Sequence, residues 1–125
     1  RPTKIYSKEI LKLSEKKIIK SAAHITGGGL VENLLRSVPQ NLNLNLDLSK
    51  IKIKKIFKWL KNKNVSDSEM LRTFNCGVGF CIITSKKNIS KIKKIFPFNY
   101  KPYEIGFISK GTGKHKVNLI NFLKW

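Results

Sequence analysis

Three stretches of this chain carry residue types that can do chemistry at useful spacings. The first is Ala22-Ala23-His24-Ile25-Thr26-Gly27-Gly28-Gly29-Leu30-Val31-Glu32-Asn33. Ala22 to Thr26 are small, apolar or β-branched and suit a buried strand. Three glycines follow, and Leu30, Val31, Leu34, Leu35 and Val38 then repeat at helical i, i+4 spacing. A bare backbone lets N–H groups approach a ligand. The helix start behind it adds orphan donors and a partial positive charge. The chemistry on offer at Gly27, Gly28 and Gly29 is anion binding, phosphate above all. The same glycines also suit a tight turn that needs them only for its geometry. Glu32 favours the helix dipole but would repel an anion placed too close. His24 fits equally a satisfied core position and, with Thr26 and the glycines directly after it, a catalytic one.

The second stretch is Glu69-Met70-Leu71-Arg72-Thr73-Phe74-Asn75-Cys76-Gly77-Val78-Gly79. Arg72 can grip a carboxylate or phosphate with two parallel hydrogen bonds. Asn75 offers both a donor and an acceptor, and Gly77 and Gly79 allow close backbone approach. The plainer reading pairs Arg72 with a neighbouring acid and puts the glycines in a bulge. The third stretch, Thr3-Lys4-Ile5-Tyr6, sets a hydroxyl, an ammonium and a phenol on one extended run, which also suits an ordinary lead-in strand. Lys110 to His115 fails as a P-loop, because Ile108 stands where a glycine is required and His115 where Ser or Thr is. Cys76 and Cys81 lack C-x-x-C spacing. Five apart on an extended segment, they would point to opposite faces, and buried thiols in a reducing cytosol are expected. His24 and His115 add no metal-ligand spacing. Seven acidic residues are too few for a two-carboxylate or Mg²⁺ site, so a complete active site is not expected within these residues.

The elements that must position these groups follow from periodicity. A helix is expected from Ser7 to about Lys20, then the strand, glycine turn and helix above, closed by Pro39. Asn41 to Leu48 alternates strictly, four leucines against four polar residues, and predicts a half-exposed strand. Ile53, Ile56, Phe57 and Leu60 form a core-facing helical stripe, with Trp59 packing beside it. Ser66 and Glu69 form a capping box for a short helix through Phe74 that breaks at Asn75-Cys76-Gly77. A buried strand from Val78 to Thr84 follows. A helix capped by Asn88 ends at Pro97, and strands are expected at Tyr103–Ser109 and Lys116–Phe122. The sum is an α+β fold: about five strands in a mixed sheet with about four packing helices. With 125 residues the chain suits one domain. Arg1-Pro2-Thr3, without an initiator Met, reads as the middle of a longer protein. No signal peptide or membrane span is expected.

The net charge is +19, from 26 basic and 7 acidic residues. A small basic nucleic-acid-binding module is the alternative that charge suggests. Against it, all but three of the basic residues are lysine, spread over every helix, with no stripe of interleaved stacking aromatics. A solvated lysine-rich surface that draws in small anions fits better.

Thr3–Lys8, Ala23–Asn33 and Glu69–Gly79, in this order, resemble the C-terminal domain of phosphoribosylformylglycinamidine cyclo-ligases, also called aminoimidazole ribonucleotide synthetases. Ile56–Leu60 and Ile105–Ile108 look like later segments of that family, so the likeness covers nearly the whole chain. Related selenophosphate synthetase and hydrogenase-maturation domains share the architecture but not the Arg-Thr-Phe-Asn segment. Lys4 stands where the family usually has Arg, Leu35 where it has Pro, and Ser37 where it has an apolar residue. The resemblance implies a partly ferredoxin-like sheet. It implies ATP-dependent closure of an imidazole ring in purine synthesis: the formyl-amide oxygen of formylglycinamidine ribonucleotide is phosphorylated and an amidine nitrogen expels the phosphate. His24 and Thr26 would orient that substrate, and Gly27, Gly28 and Gly29 would hold phosphate. Asn33, Arg72, Thr73 and Asn75 would form the wall facing an N-terminal domain, with Thr3 and Tyr6 also on the substrate. That N-terminal domain, absent from this sequence, would carry most contacts to ATP and Mg²⁺. It would also make the main contact of a homodimer. A cytoplasmic enzyme with no membrane or specific nucleic-acid partner is implied.

Overall fold

The structure, a computed structural model, describes residues 4–114 and 116–125. Among the described residues five α-helices and five strands follow in the order α1 (Ser7–Glu15), β1 (Ile19–His24), α2 (Gly29–Arg36), β2 (Leu42–Asp47), α3 (Lys55–Lys61), α4 (Asp67–Thr73), β3 (Phe80–Thr84), α5 (Ile89–Ile95), β4 (Gly106–Lys110) and β5 (Val117–Ile120). The α+β expectation holds. The strands form two sheets rather than one: β1 pairs antiparallel with β3, and β2 lies between antiparallel β4 and parallel β5.

Strand β1 divides two apolar clusters. Leu13 of α1 and Ile92 and Phe96 at α5 are buried together, with Ile18, Ile19 and Ile82 packed on them. The larger core gathers Ala23, Ile25 and Cys81 with Leu30 and Leu34 of α2, Leu44 and Leu46 of β2, and Met70 and Leu71 of α4. The register explains the division: Ala23 faces across to Cys81 and His24 to Phe80, so alternate residues point to opposite sides.

Several expectations are corrected. Helix α1 stops at Glu15, because Lys17 takes a positive φ of 51° and reverses the chain. That frees the β-branched Ile18 and Ile19 to enter or flank the strand and pack against α5. Ile53, just before α3, and Phe57 and Leu60 within it pack on the core, whereas Ile56 and Trp59 are exposed. Trp59 does not pack; its ring carries the Lys63 ammonium, 5.5 Å from the centroid. Half the capping box forms: Ser66 Oγ accepts from the Glu69 N–H, but the Glu69 carboxylate is taken by Arg72 and Thr73. Asn88 does not cap α5; its amide donates to the Ile18 carbonyl.

Strand β2 departs furthest from its half-exposed expectation. Leu44, Leu46 and Leu48 are buried as the alternation predicts, yet Asn45 on the other side is only 7% exposed. Flanked on both edges, β2 has its polar side chains covered by those of its neighbours. Asn45 donates to Ser109 Oγ and the Phe107 carbonyl and accepts from Asn118. Asp47 accepts from the Ser49 N–H and hydroxyl and from Asn121.

Candidate functional site

The glycine turn connects β1 to α2, and its three glycines have three different reasons to be there. Gly28 has φ of 91°, a left-handed conformation that favours glycine. Gly29 has φ of 68°, and a Cβ there would overlap the Leu71 carbonyl oxygen, so its hydrogen lets α2 lie directly on α4. Gly27 has neither constraint. Its φ is not positive, and a Cβ on it would meet nothing within 4 Å. Asn33 latches the turn from inside α2: its side-chain nitrogen donates to the carbonyls of Gly27 (3.0 Å) and Gly29 (2.7 Å). The Gly29 N–H closes the turn on the Thr26 carbonyl.

The contact between α2 and α4 brings the second stretch alongside the first. Phe74, in extended conformation, ends α4. Asn75 then begins a turn in which Cys76 and Gly77 both have positive φ, and the Val78 N–H donates to the Asn75 carbonyl. The Asn75 Oδ1 accepts from the Gly77 N–H at 2.9 Å, which fixes the side chain and turns its NH₂ outward from that bond. The result is a shallow cleft of about 220 Å³ lined by Ile25, Thr26, Gly27, Phe57, Thr73, Phe74 and Asn75. Among the described residues, neither the Thr26 hydroxyl, the Gly27 N–H nor the Asn75 NH₂ has a protein partner. Thr73 donates its hydroxyl proton to Glu69 at 2.8 Å and keeps its lone pairs.

No carboxylate lines this cleft. Glu69 stands one step behind it; the Thr73 hydroxyl first and the Arg72 charge second hold its carboxyl below the usual range. Arg72 is exposed and paired with Glu69 at 2.7 Å, so its plainer reading is what the geometry shows. Glu32 is likewise paired, with Arg36, at the helix surface. A donor-rich, carboxylate-free hollow at a helix start is a site for hydrogen-bond acceptors, suited to phosphate or carbonyl oxygen.

The structure separates His24 and Tyr6 from this cleft. Both belong to an aromatic group on the other side of β1. The His24 ring is exposed and stacks on Phe80 (centroids 5.9 Å apart), with Tyr6 edge-on at 6.4 Å. A Cβ at Gly79 would strike the Tyr6 hydroxyl, so this glycine seats the Tyr6 ring. Gly77 is pressed on the Lys52 carbonyl. Both glycines of the second stretch thus serve contacts within the protein. Burial pushes the Tyr6 phenol up from its ordinary value. Lys4 donates to the Asn99 carbonyl and lies over the Tyr100 ring. Thr3, expected on the substrate, and His115 lie outside the described residues. Cys76 and Cys81 are not on opposite faces. The positive φ at Cys76 and Gly77 turns the chain, so both thiols are buried in the same core, and burial pushes them up to about 11 and about 12. Phe57 and Phe74 are the site residues the sequence reading passed over; the signal was Phe74 lying between Thr73 and Asn75.

Among the described residues no group of three or more His, Cys, Asp or Glu is arranged to hold a metal ion, and no helix is long and apolar enough to cross a membrane. Nothing in the geometry favours the nucleic-acid module.

A small α+β domain with a cleft between its glycine turn and the end of α4 is thus the class defined by fold and site. Its sequence matches the family described as AIR synthase related protein, C-terminal domain, over residues 1–118, and the chain belongs to that family. It is 43% identical over 119 residues to the phosphoribosylformylglycinamidine cyclo-ligase of Carboxydothermus hydrogenoformans, covering 94% of this chain and 34% of that protein. It is 39% identical to the bifunctional purine biosynthetic protein ADE1 of Schizosaccharomyces pombe, covering 99% of this chain and 16% of that one. With the human trifunctional purine biosynthetic protein adenosine-3 it shares 36% identity, over 98% of this chain and 12% of the other. The chain therefore spans about a third or less of these relatives.

Proposed function

We propose that this domain is the substrate side of an ATP-dependent phosphoribosylformylglycinamidine cyclo-ligase. In the whole protein it would act on formylglycinamidine ribonucleotide to give aminoimidazole ribonucleotide in cytoplasmic purine synthesis. The observation that supports this reading most is the cleft at Gly27. Donors from both motifs line it, and no described residue accepts from them. Its volume, about 220 Å³, is below the about 300–1,000 Å³ of a complete ligand site. It suits a half-site that an N-terminal domain would close, in a full-length homodimer.

The residues present do not fit a Mg²⁺–nucleotide site: Mg²⁺ asks for carboxylate oxygens, and the cleft is lined by none. ATP and its metal are assigned to the N-terminal domain, and no step is routed through them here. What this chain supplies is binding and orientation. The N–H of Gly27, the Thr26 hydroxyl and the Asn75 NH₂ hold phosphate or carbonyl oxygen of the substrate, and fixed donors of this kind lose little on reorganisation. Asn33 keeps the turn in shape. His24, exposed at the end of β1 with its ring stacked on Phe80, would meet substrate extending past the strand end.

The test is steady-state kinetics of the full-length enzyme carrying Gly27→Ala. The new methyl enters open space, so the fold is expected to survive while the KM for the ribonucleotide rises about tenfold and the KM for ATP stays put. An unchanged ribonucleotide KM would remove the cleft from the site.

A further inference from the structure

The cleft has two unlike walls. Thr26, Gly27, Thr73 and Asn75 are polar; Ile25, Phe57 and Phe74 are not. The apolar wall comes from three different elements. Ile25 is buried just after β1, Phe57 stands on the inner stripe of α3, and Phe74 is where the chain leaves α4. The two phenyl rings lie 6.1 Å apart, centroid to centroid, inclined at 52°. Both are half-buried, part of each packed on the core and part lining the cleft.

This arrangement is more than an anion needs. Phosphate is recognised by donors and charge, and phenyl rings beside it only desolvate it, at a cost. The cavity also exceeds what a bare phosphate fills, since a water takes about 30 Å³ of liquid volume. A ligand that satisfies both walls carries acceptor oxygens at one end and a flat face at the other. Flat conjugated groups gain from lying against aromatic rings. The polar wall agrees: besides its donors it has the Thr73 oxygen, an acceptor whose own proton is already given to Glu69. That oxygen can only accept, which suits an N–H of the ligand that inorganic phosphate and polyphosphate lack.

We infer that Phe57 and Phe74 determine the specificity of this cleft by holding the flat, N–H-bearing organic part of a phosphate ester, with Thr73 accepting from it. This rests on the substrate-side reading above and goes further, because it selects an organic ester over a free phosphate or the polyphosphate of a nucleotide.

The experiment is kinetics on the full-length enzyme with Phe57→Leu, Phe74→Leu and Phe74→Tyr, beside Gly27→Ala. Leucine keeps most of the apolar volume on the core and removes the ring; tyrosine keeps the ring. Each Leu variant is expected to raise the ribonucleotide KM five- to tenfold with the ATP KM unchanged, and Phe74→Tyr to stay within twofold of wild type. A ribonucleotide KM unmoved in both Leu variants, an equal rise in both KM values, or a Tyr variant no better than Leu would each overturn the inference. If Gly27→Ala raises the ribonucleotide KM while the Leu variants do not, the aromatic floor fails and the substrate-side reading stands. If Gly27→Ala is also silent, that reading fails with it.

Discussion

Two groups of polar residues in this domain have similar compositions and opposite circumstances. On the three-stranded sheet, Asn45 donates to Ser109 and accepts from Asn118, and Asp47 accepts from Ser49 and Asn121. At the glycine turn, Thr26, Gly27 and Asn75 present donors that no described residue accepts. The first group is closed on itself and fixes how β4 and β5 register on β2. The second is open on one side, held in place by bonds made through its other atoms: Asn75 through Oδ1 and the turn through Asn33. Asn and Thr report function only when their hydrogen bonds are counted, since a satisfied network holds structure and fixed but uncommitted donors await a ligand.

The comparison is broken most directly by removing a group from each region. His24→Ala, at the end of the strand that leads into the glycine turn but across β1 from the cleft, is expected to lower kcat of the full-length enzyme about 100-fold, the lower range for a positioned catalytic group. Because the ring is exposed, the thermal midpoint should barely move; near-normal turnover would take His24 out of the mechanism. Asn45→Ala should do the reverse. It removes the hydrogen bonds that the buried Asn45 makes to Ser109, the Phe107 carbonyl and Asn118, costing about 1–3 kcal/mol in denaturant titration, with kcat of the folded enzyme unchanged. Loss of turnover at full folding would mean the sheet network also acts in catalysis.

Smaller effects sharpen the contrast. Gly27→Ala is expected to leave stability equal or up to about 1 kcal/mol higher, since alanine restricts the unfolded chain at a compatible φ. A clear loss of stability there would show that the bare backbone serves the fold. The smallest effect is in acid. The Asn121 hydrogen bond first, then those from Ser49, hold the Asp47 carboxyl below its ordinary value. A depressed folded-state pKa contributes stability above the unfolded value near 4, and that contribution is lost as pH falls through the folded value. Asp47→Asn should therefore flatten the stability profile below about pH 4 and leave the profile near pH 7 parallel to wild type. An unaltered acid arm would show that this carboxylate is not part of the closed network.

Much of this was legible in the residues, for identifiable reasons. Periodicity in α2 and β2, the capping residues of α4 and the apolar run of β3 located these elements to within a few residues. The ends of α1 and β1 were misread because Ile18 and Ile19 fit a helical stripe as well as a strand. Only their packing on Ile92 and Phe96 decides between the two. The motifs at the glycines and at Arg72–Asn75 stood out by residue type, and the family likeness rests on them. That Gly27 alone is free of backbone and packing demands was not legible, because three glycines in a row look alike in one dimension.

The sequence by itself determined the α+β content, the positions of the turns, the scarcity of carboxylates and the chemistry available at each motif. These depend on local backbone preference and on side-chain type. Tertiary structure decided which motifs meet. The contact of Gly29 with Leu71 and Arg72 lays α2 on α4, setting Thr26 and Gly27 beside Thr73 and Asn75, while the His24 ring packs instead with Phe80 and Tyr6. Such juxtapositions join residues more than 40 positions apart and are settled by close packing in the core, which no local pattern encodes.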